Sequence, residues 1–412
     1  MIHPLAPGVT ASADVLGAKA HGLISLLRLG LPVPPGFVIG TPACRAYLRD
    51  GRLPADLGPA VRELAAALGD RPRSVSVRSG GPVSMPGMMD TVLDVPLTLS
   101  RVAPAVEAVF SSWHTPRART YRELHGIPHD LGTAVTVQAM VFGERGGSGV
   151  AFSRDPNTGE PVPFGEVLFG HRGDDVVSGR SVTTPLRELA GREPAVWAEL
   201  LAALDRVEAH YRDACSVEFT FESGRLWLLQ VRPGGFVGRA AARVAVELAD
   251  AGVISRREAV RRVPAFTEAP RIDTAGAEVL TRGLGACPGV ATGRVATTAD
   301  AAVRMDGPVI LVRPHTSPLD LHGLAASAGV LTSTGGPASH AAIVARAMGK
   351  PAVVAATDLT VEASHVRAGD RVLPEGTLIT IDGTGGEVVL GSPPVLTNEP
   401  DPYVRRLLEW GA

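Results

Sequence analysis

The sequence predicts a multidomain protein of mixed α/β and α+β class, and three observations predict it. The chain has 412 residues, enough for two or three domains with separate cores. Residues 1 to about 235 mix β-runs with helical segments. From about 280 to 391, short apolar strand-like runs alternate with a helical pattern, the signature of a small α/β domain.

The elements follow in order. "SVSVRSG" (Ser74–Gly80) and "GTAVTVQAMVFG" (Gly132–Gly143) read as strands. "VWAELLAALDRVEAHYRDA" (Val196–Ala214) carries apolar residues at helical spacing. "SVEFTFESGRLWLLQVR" (Ser216–Arg232) reads as a hairpin, with Val217, Phe219 and Phe221 alternating into a Ser-Gly turn and Leu226, Leu228 and Val231 returning. Gly252 closes a helix over Arg239–Gly252, and Ser255 with Glu258 forms a capping box for the next one. Pro264–Gly276 is punctuated by Pro and Gly and reads as a linker. Beyond it come "VILVRP", "GVLTST", "PAVVAAT" and "TLITIDG" as strands, and a helix after His340. In "EPDPYVRRLLEWGA" (Glu399–Ala412), Pro402 opens a short helix whose Tyr403, Leu407 and Trp410 make an apolar stripe. That stripe is expected either to pack on the chain's own histidine-bearing domain or to dock on a separate chain. The expected domains are 1–235, a helical linker 236–279, 280–391, and a tail helix in 392–412.

Composition narrows the function classes. Hydrophobic residues make up 45% and charged residues 20%, with a formal net charge of −2, so neither nucleic acid nor an acidic membrane is an expected partner. No apolar run reaches the ~18–20 residues of a membrane span, and the N-terminus lacks the pattern of a secretory signal. Cys44, Cys215 and Cys287 are far apart with no CxxC, which suits neither a disulfide framework nor a zinc site. A reduced, cytoplasmic setting is the expectation.

"TSTGGPASHAAIVARAMGKPAVV" (Thr332–Val354) is the most chemically suggestive stretch. Gly335 and Gly336 permit a tight turn and close approach to a ligand. Ser339 and His340 then open a helix whose first amides lack partners. Such a helix start binds phosphate and disfavours a cationic ring, leaving a neutral, nucleophilic imidazole at neutral pH.

The pattern "GG-x-x-SHAAIVAR-x-x-G-x-PAVV" resembles the phosphohistidine segment of the phosphoenolpyruvate-utilising enzymes. "LGAKAHGLISLLRLGLPVPPGFVI" (Leu16–Ile39) and "SVSVRSGGPVSMPGMMDTVLDV" (Ser74–Val95) are similar to the nucleotide-binding, ATP-grasp-like domain of the same superfamily. "SMPGMMDT", "GTAVTVQAMVFG" and "GVAFSRDPNTGE" resemble its pyruvate, phosphate dikinase branch in particular. The resemblance covers Leu16 to about Leu390 and implies a swivelling phosphohistidine domain behind an ATP-grasp-like one.

It also implies roles. Ser84 to Thr91 is a Gly/Met loop able to fold over a triphosphate, with Ser84, Met85, Gly87, Asp90 and Thr91 as expected ATP contacts. Arg78, leaving a strand just before it, suits pairing with phosphate oxygens. Glu218 and Gln230, on facing strands of the hairpin, are the expected Mg²⁺ ligands as hard oxygen donors, and Arg232 shares Gln230's face. Lys19 matches the family's lysine near the nucleotide, in "GAKA" rather than "GGKG". His340, Arg78 and Arg232 are the expected catalytic residues.

Departures from the pattern matter. Ser216 stands where an acidic residue is frequent, and "RGDDVVSG" (Arg172–Gly179) replaces "QGEDVVAG". Ala338 occupies the position of the regulatory threonine, so that switch cannot act here. A helical insert of the family is missing after "VLDV", and the expectation is that the acceptor-binding barrel lies outside this chain. The expected function is therefore a dikinase-like phosphotransferase in which ATP phosphorylates His340, AMP leaves, and an acceptor outside the chain takes the phosphoryl group. Inorganic phosphate is an expected second substrate, yielding PPi. Two other classes remain open, a small-molecule kinase using the same phosphohistidine and a non-catalytic nucleotide sensor. A homodimer is an open assembly.

Overall fold

The computed structural model describes residues 1–69, 74–171, 183–263, 270–396 and 401–411. The "RGDDVVSG" segment and part of the expected linker lie outside them. Two compact units divide the chain: Met1–Gly146 with Val217–Val231, and Gly147–Ser216 with Arg232–Ala412.

The first unit is built on a sheet of five strands: β1 (Ile2–Pro4), β2 (Gly36–Ile39), β3 (Ser74–Gly80), β4 (Thr91–Pro96) and β5 (Ala134–Ala139). Their order is β1-β2-β5-β3-β4 and every neighbour pair is antiparallel. The period of two sorts the side chains by face. Val75 and Val77 of β3, with Val135 and Val137 of β5, enter a core closed by helices Thr41–Asp50, Leu57–Leu68 and Leu99–Ser111. Each of these valines is fully buried, and burial of such a side chain contributes about 1.5–3 kcal/mol. The opposite face of the same two strands carries Ser76, Arg78, Thr136 and Gln138, all 9% exposed or less. A polar face this deeply covered is unusual for a half-solvated antiparallel sheet. The hairpin strands Cys215–Glu222 and Arg225–Pro233 form as expected, turning at Ser223 and Gly224.

In the second unit, Gly146–Phe152 pairs antiparallel with Phe164–Phe169, which pairs with Thr184–Pro185. Helices Pro194–Tyr211, Gly238–Asp250 and Arg256–Arg262 follow, the last capped by Ser255 accepting from the Glu258 amide. The histidine-bearing region is an eight-stranded mixed sheet. Its centre runs parallel through Val290–Ala296, Val309–Arg313, Gly329–Thr332 and Ala352–Val354. Chain entry and exit run side by side, Arg271–Ile272 pairing antiparallel with Val395–Leu396.

The tail helix, Pro402–Gly411, forms, and it packs on the linker helices in place of the histidine-bearing region 280–391. Val404 and Leu407 pack into a cluster with Val244, Leu248 and Ala259 from the two helices Gly238–Asp250 and Arg256–Arg262. Arg406 pairs bidentately with Asp250, and Arg239 with Asp401. Helices 238–250 and 256–262 supply an apolar groove that the stripe completes, and that burial decides the partner. Among the described residues, no helix is long and apolar enough to cross a membrane.

Candidate functional site

His340 is the first residue of helix His340–Met348, with Ser339 as N-cap accepting from the Ala342 amide and Gly349 closing the other end in the left-handed region. Gly335 has φ +83°, a conformation that favours glycine. The ring is fixed from one side: Nδ1 lies 3.0 Å from Thr316 Oγ1, and Nε2 is buried with no partner among the described residues. Burial holds the imidazole pKa down from 6.5 to about 4, the Asp320 carboxylate opposing it. The ring is therefore neutral near pH 7, as expected, but desolvation is the leading cause. Asp320 is itself held by the amide and hydroxyl of Ser317 and lies 3.3 Å from Arg313 Nε.

The loop before His340 is held from two directions. Arg346, six residues along the same helix, donates to the Pro337 and Ala286 carbonyls. Burial lowers that guanidinium's pKa to about 10. Glu166, on strand Phe164–Phe169, accepts from the Ala338 amide and from Thr183 Oγ1 at 2.9 Å. Desolvation raises its pKa, against those two hydrogen bonds. A Cβ on Gly336 would stand 1.6 Å from Glu166 Oε1, so this position requires glycine for the carboxylate to approach. Ala338 is 1% exposed and packs with Phe152 and Leu168.

The other expected residues, Arg232 excepted, belong to the first unit. Arg78 donates through Nη2 to Gln138 Oε1 and to the Leu229 carbonyl of the hairpin, the latter at 3.1 Å. Its Nε is buried and has no partner among the described residues. Burial pulls the guanidinium pKa down, and the charge of the Glu218 carboxylate pushes it up. Lys19 reaches the end of β3 because Gly17, at φ +75°, breaks helix Ala13–Arg28 where the chain meets Gly80. The Ala18 amide donates to Gly81 O at 2.9 Å. Gln230 is 8% exposed, next to Leu229.

The Ser84–Thr91 loop is anchored by its methionines. Met85, Met88 and Met89 are buried, leaving Ser84, Gly87 and Thr91 exposed along its crest. Arg117 donates to the Met88 carbonyl at 2.9 Å and to the Asp90 carboxylate, and Ser112 Oγ accepts from the Asp90 amide. Asp90 is thus tied into the loop by both contacts, and the Met85 side chain is buried. Arg232, two residues past Gln230 on the same strand, falls in the second unit with His340. Thr316, Glu166, Gln138 and Arg117 were not singled out in the sequence. Their signal was present only as ordinary polar residues inside otherwise regular elements.

Among the described residues, no group of three or more His, Cys, Asp or Glu side chains is placed to hold a metal. The donor set Glu218 plus Gln230, one carboxylate and one amide oxygen, suits an ion that keeps several waters and shares substrate phosphates, as Mg²⁺ does.

Two family models match the regions that hold Arg78, the Ser84–Thr91 loop and His340. Residues 49–187 match the family model of the pyruvate phosphate dikinase AMP/ATP-binding domain. Residues 305–386 match that of the PEP-utilising enzyme mobile domain, so the chain carries both of these domains. It is 37% identical to pyruvate, phosphate dikinase of Rhizobium meliloti over 98% of its own length and 59% of that protein. To pyruvate, phosphate dikinase 2 of Zea mays it is 35% identical, over 94% of this chain and 57% of that one. The chain spans somewhat over half the length of these relatives. The first alignment runs over 528 residues, longer than this chain, so internal segments of that relative have no counterpart here. Among solved structures, D-cycloserine synthetase DcsG superposes with a TM-score of 0.31 at 18% identity, over 53% of this chain and 62% of that one, too partial to bear on the assignment.

Proposed function

We propose that this chain catalyses the phosphohistidine-forming half of a dikinase-type phosphotransfer. In this reading residues 1–235 bind ATP and residues 280–391 carry the histidine, with 236–279 as the link and the tail helix in 392–412. The observation that carries it is His340: a neutral imidazole, one nitrogen fixed by Thr316 and the other buried without a partner among the described residues, at the start of a helix. With Nδ1–H donating to Thr316 Oγ1, the lone pair resides on Nε2, the nucleophile.

Nε2 attacks the β-phosphorus of ATP. The bond from that phosphorus to the oxygen bridging to the α-phosphorus breaks, and AMP leaves with the electron pair. Inorganic phosphate then attacks the terminal phosphorus of the pyrophosphoryl-histidine, giving PPi and phosphohistidine, which passes its phosphoryl group to an acceptor. Arg78 supplies a fixed positive charge to the transferring oxygens, with Lys19 and Arg232 assisting. Glu218 and Gln230 would hold Mg²⁺, whose role when bound is to neutralise phosphate charge. Ser84, Gly87 and Thr91 present hydroxyls and an unobstructed backbone along the exposed loop crest, toward the phosphate chain. One carrier histidine serving successive partners requires a domain that moves.

The test is intact-mass spectrometry after Mg-ATP, with and without phosphate. The expected result is an acid-labile adduct with AMP release, abolished in His340→Ala while ATP affinity is retained. An adduct that survives this substitution refutes the assignment.

A further inference from the structure

Resting on the reading of Arg78 as the phosphate-facing cation, we propose that Gln138 is the residue that positions it. Arg78 and Gln138 stand on neighbouring antiparallel strands, Arg78 opposite Thr136 and Gln138 opposite Ser76, so the two side chains are diagonal neighbours on one face. Gln138 is 1% exposed. Its Oε1 accepts from Arg78 Nη2, and its Nε2 donates to the Pro34 carbonyl at 2.9 Å. A guanidinium only donates and a backbone carbonyl only accepts, so the amide has a single orientation open to it. The Leu229 carbonyl gives Nη2 a second acceptor at 3.1 Å. One end of the planar fork is thus clamped by two neutral oxygens.

What the clamp leaves over is the functional part. Arg78 Nε is buried and has no partner among the described residues, and a buried donor without an acceptor is costly unless a ligand supplies one. A phosphate oxygen is the acceptor a guanidinium fork fits. Because Gln138 is neutral, it fixes the direction of the fork without cancelling its charge. A glutamate in the same place would pair with Arg78 and compete with the phosphate. The chain Pro34–Gln138–Arg78 therefore converts a long, rotamer-rich side chain into a preorganised one, and preorganisation is where such a charge gains its effect.

The experiment measures single-turnover phosphohistidine formation at saturating Mg-ATP in the full chain. It compares wild type, Gln138→Leu, Gln138→Glu, Arg78→Ala and the double variant Arg78→Ala/Gln138→Leu, with ATP affinity followed by calorimetry. Gln138→Leu and Gln138→Glu are each expected to slow the step about 10- to 100-fold, since a misplaced stabiliser costs on that order. ATP affinity should stay within about threefold, the pattern of a residue felt in the transition state. The double variant should be no slower than Arg78→Ala alone. Gln138→Glu preserves shape and volume, so it guards against a folding defect in the leucine variant. Wild-type rates in both Gln138 variants overturn the proposal. So does a further loss from Gln138→Leu on top of Arg78→Ala, which would show that Gln138 acts through the fold and not through the arginine. An Arg78→Ala rate equal to wild type sinks the reading of Arg78 itself, and this proposal with it.

Discussion

Protonation of His340 is the perturbation that tests the site most directly. An unperturbed imidazole with pKa 6.5 is about nine-tenths protonated at pH 5.5, whereas one held at about 4 is only a few per cent protonated there. The nucleophile is thus expected to remain available across this range, and phosphohistidine formation should not fall with a midpoint near 6.5. The same shift has a stability cost. The folded-state pKa lies below the unfolded one, so the unfolded chain binds the proton more readily, and stability rises with pH between the two values. The contribution is fully present above pH 6.5 and is lost as pH falls toward 4. It amounts to about 1 kcal/mol lost by pH 5.5 and roughly 2–3 kcal/mol by pH 4.5. His340→Gln removes the titrating group, so the wild type should lose these amounts relative to the variant in paired denaturation curves. The ring itself is read by NMR, assigned by its disappearance in His340→Gln. A midpoint at or above about 6, together with parallel pH–stability curves for the two proteins, would refute the argument that burial sets the state of this ring.

Other consequences follow from the same structure. Arg78→Ala should slow adduct formation by about 10²–10³, as loss of a preorganised charge stabiliser does, and by more than Lys19→Ala; quench-flow with labelled ATP orders the two. Leu407→Ala should destabilise the bundle of helices 238–250, 256–262 and 402–411 by about 2–5 kcal/mol, because the leucine is fully buried there. An unchanged denaturation profile would show that the tail helix does not pack as described. Gly336→Ala should displace the Glu166 carboxylate, raising amide exchange at Ala338 by roughly tenfold or more, the equivalent of one lost hydrogen bond to a charged group. Hydrogen-exchange mass spectrometry of the loop peptide measures it, and unchanged protection would refute the contact.

Much of the fold was legible in sequence because it is local. The alternation in "SVSVRSG", the turn residues Ser223 and Gly224, the Ser255 cap and the Ser339–His340 helix start all declare themselves within a few residues. The carriers of the candidate site, Arg78, Lys19, Glu218, Gln230 and His340, stood out for the same reason, as chemically loaded residues in recognisable strings. Their partners did not. Gln138 meets Arg78 from 60 residues away, Arg117 meets Asp90 from 27, and Thr316 meets His340 from 24. Sheet pairing and loop packing create these contacts, and no local periodicity encodes them.

What the sequence determined by itself was therefore the chemistry on offer: a histidine behind a glycine turn, an arginine at a strand end, a carboxylate and an amide on a hairpin. Tertiary structure decided how each is used. Burial, more than the helix end, makes His340 neutral: both disfavour the charged ring, and loss of water is the leading cause. Arg117 and Ser112 tie Asp90 into the shape of its loop, contacts that only the folded chain creates. The apolar groove of helices 238–250 and 256–262 claims Leu407 and Val404, where the sequence showed only a stripe in want of a partner. Apolar periodicity says that a face must be covered, and only the folded chain says by what.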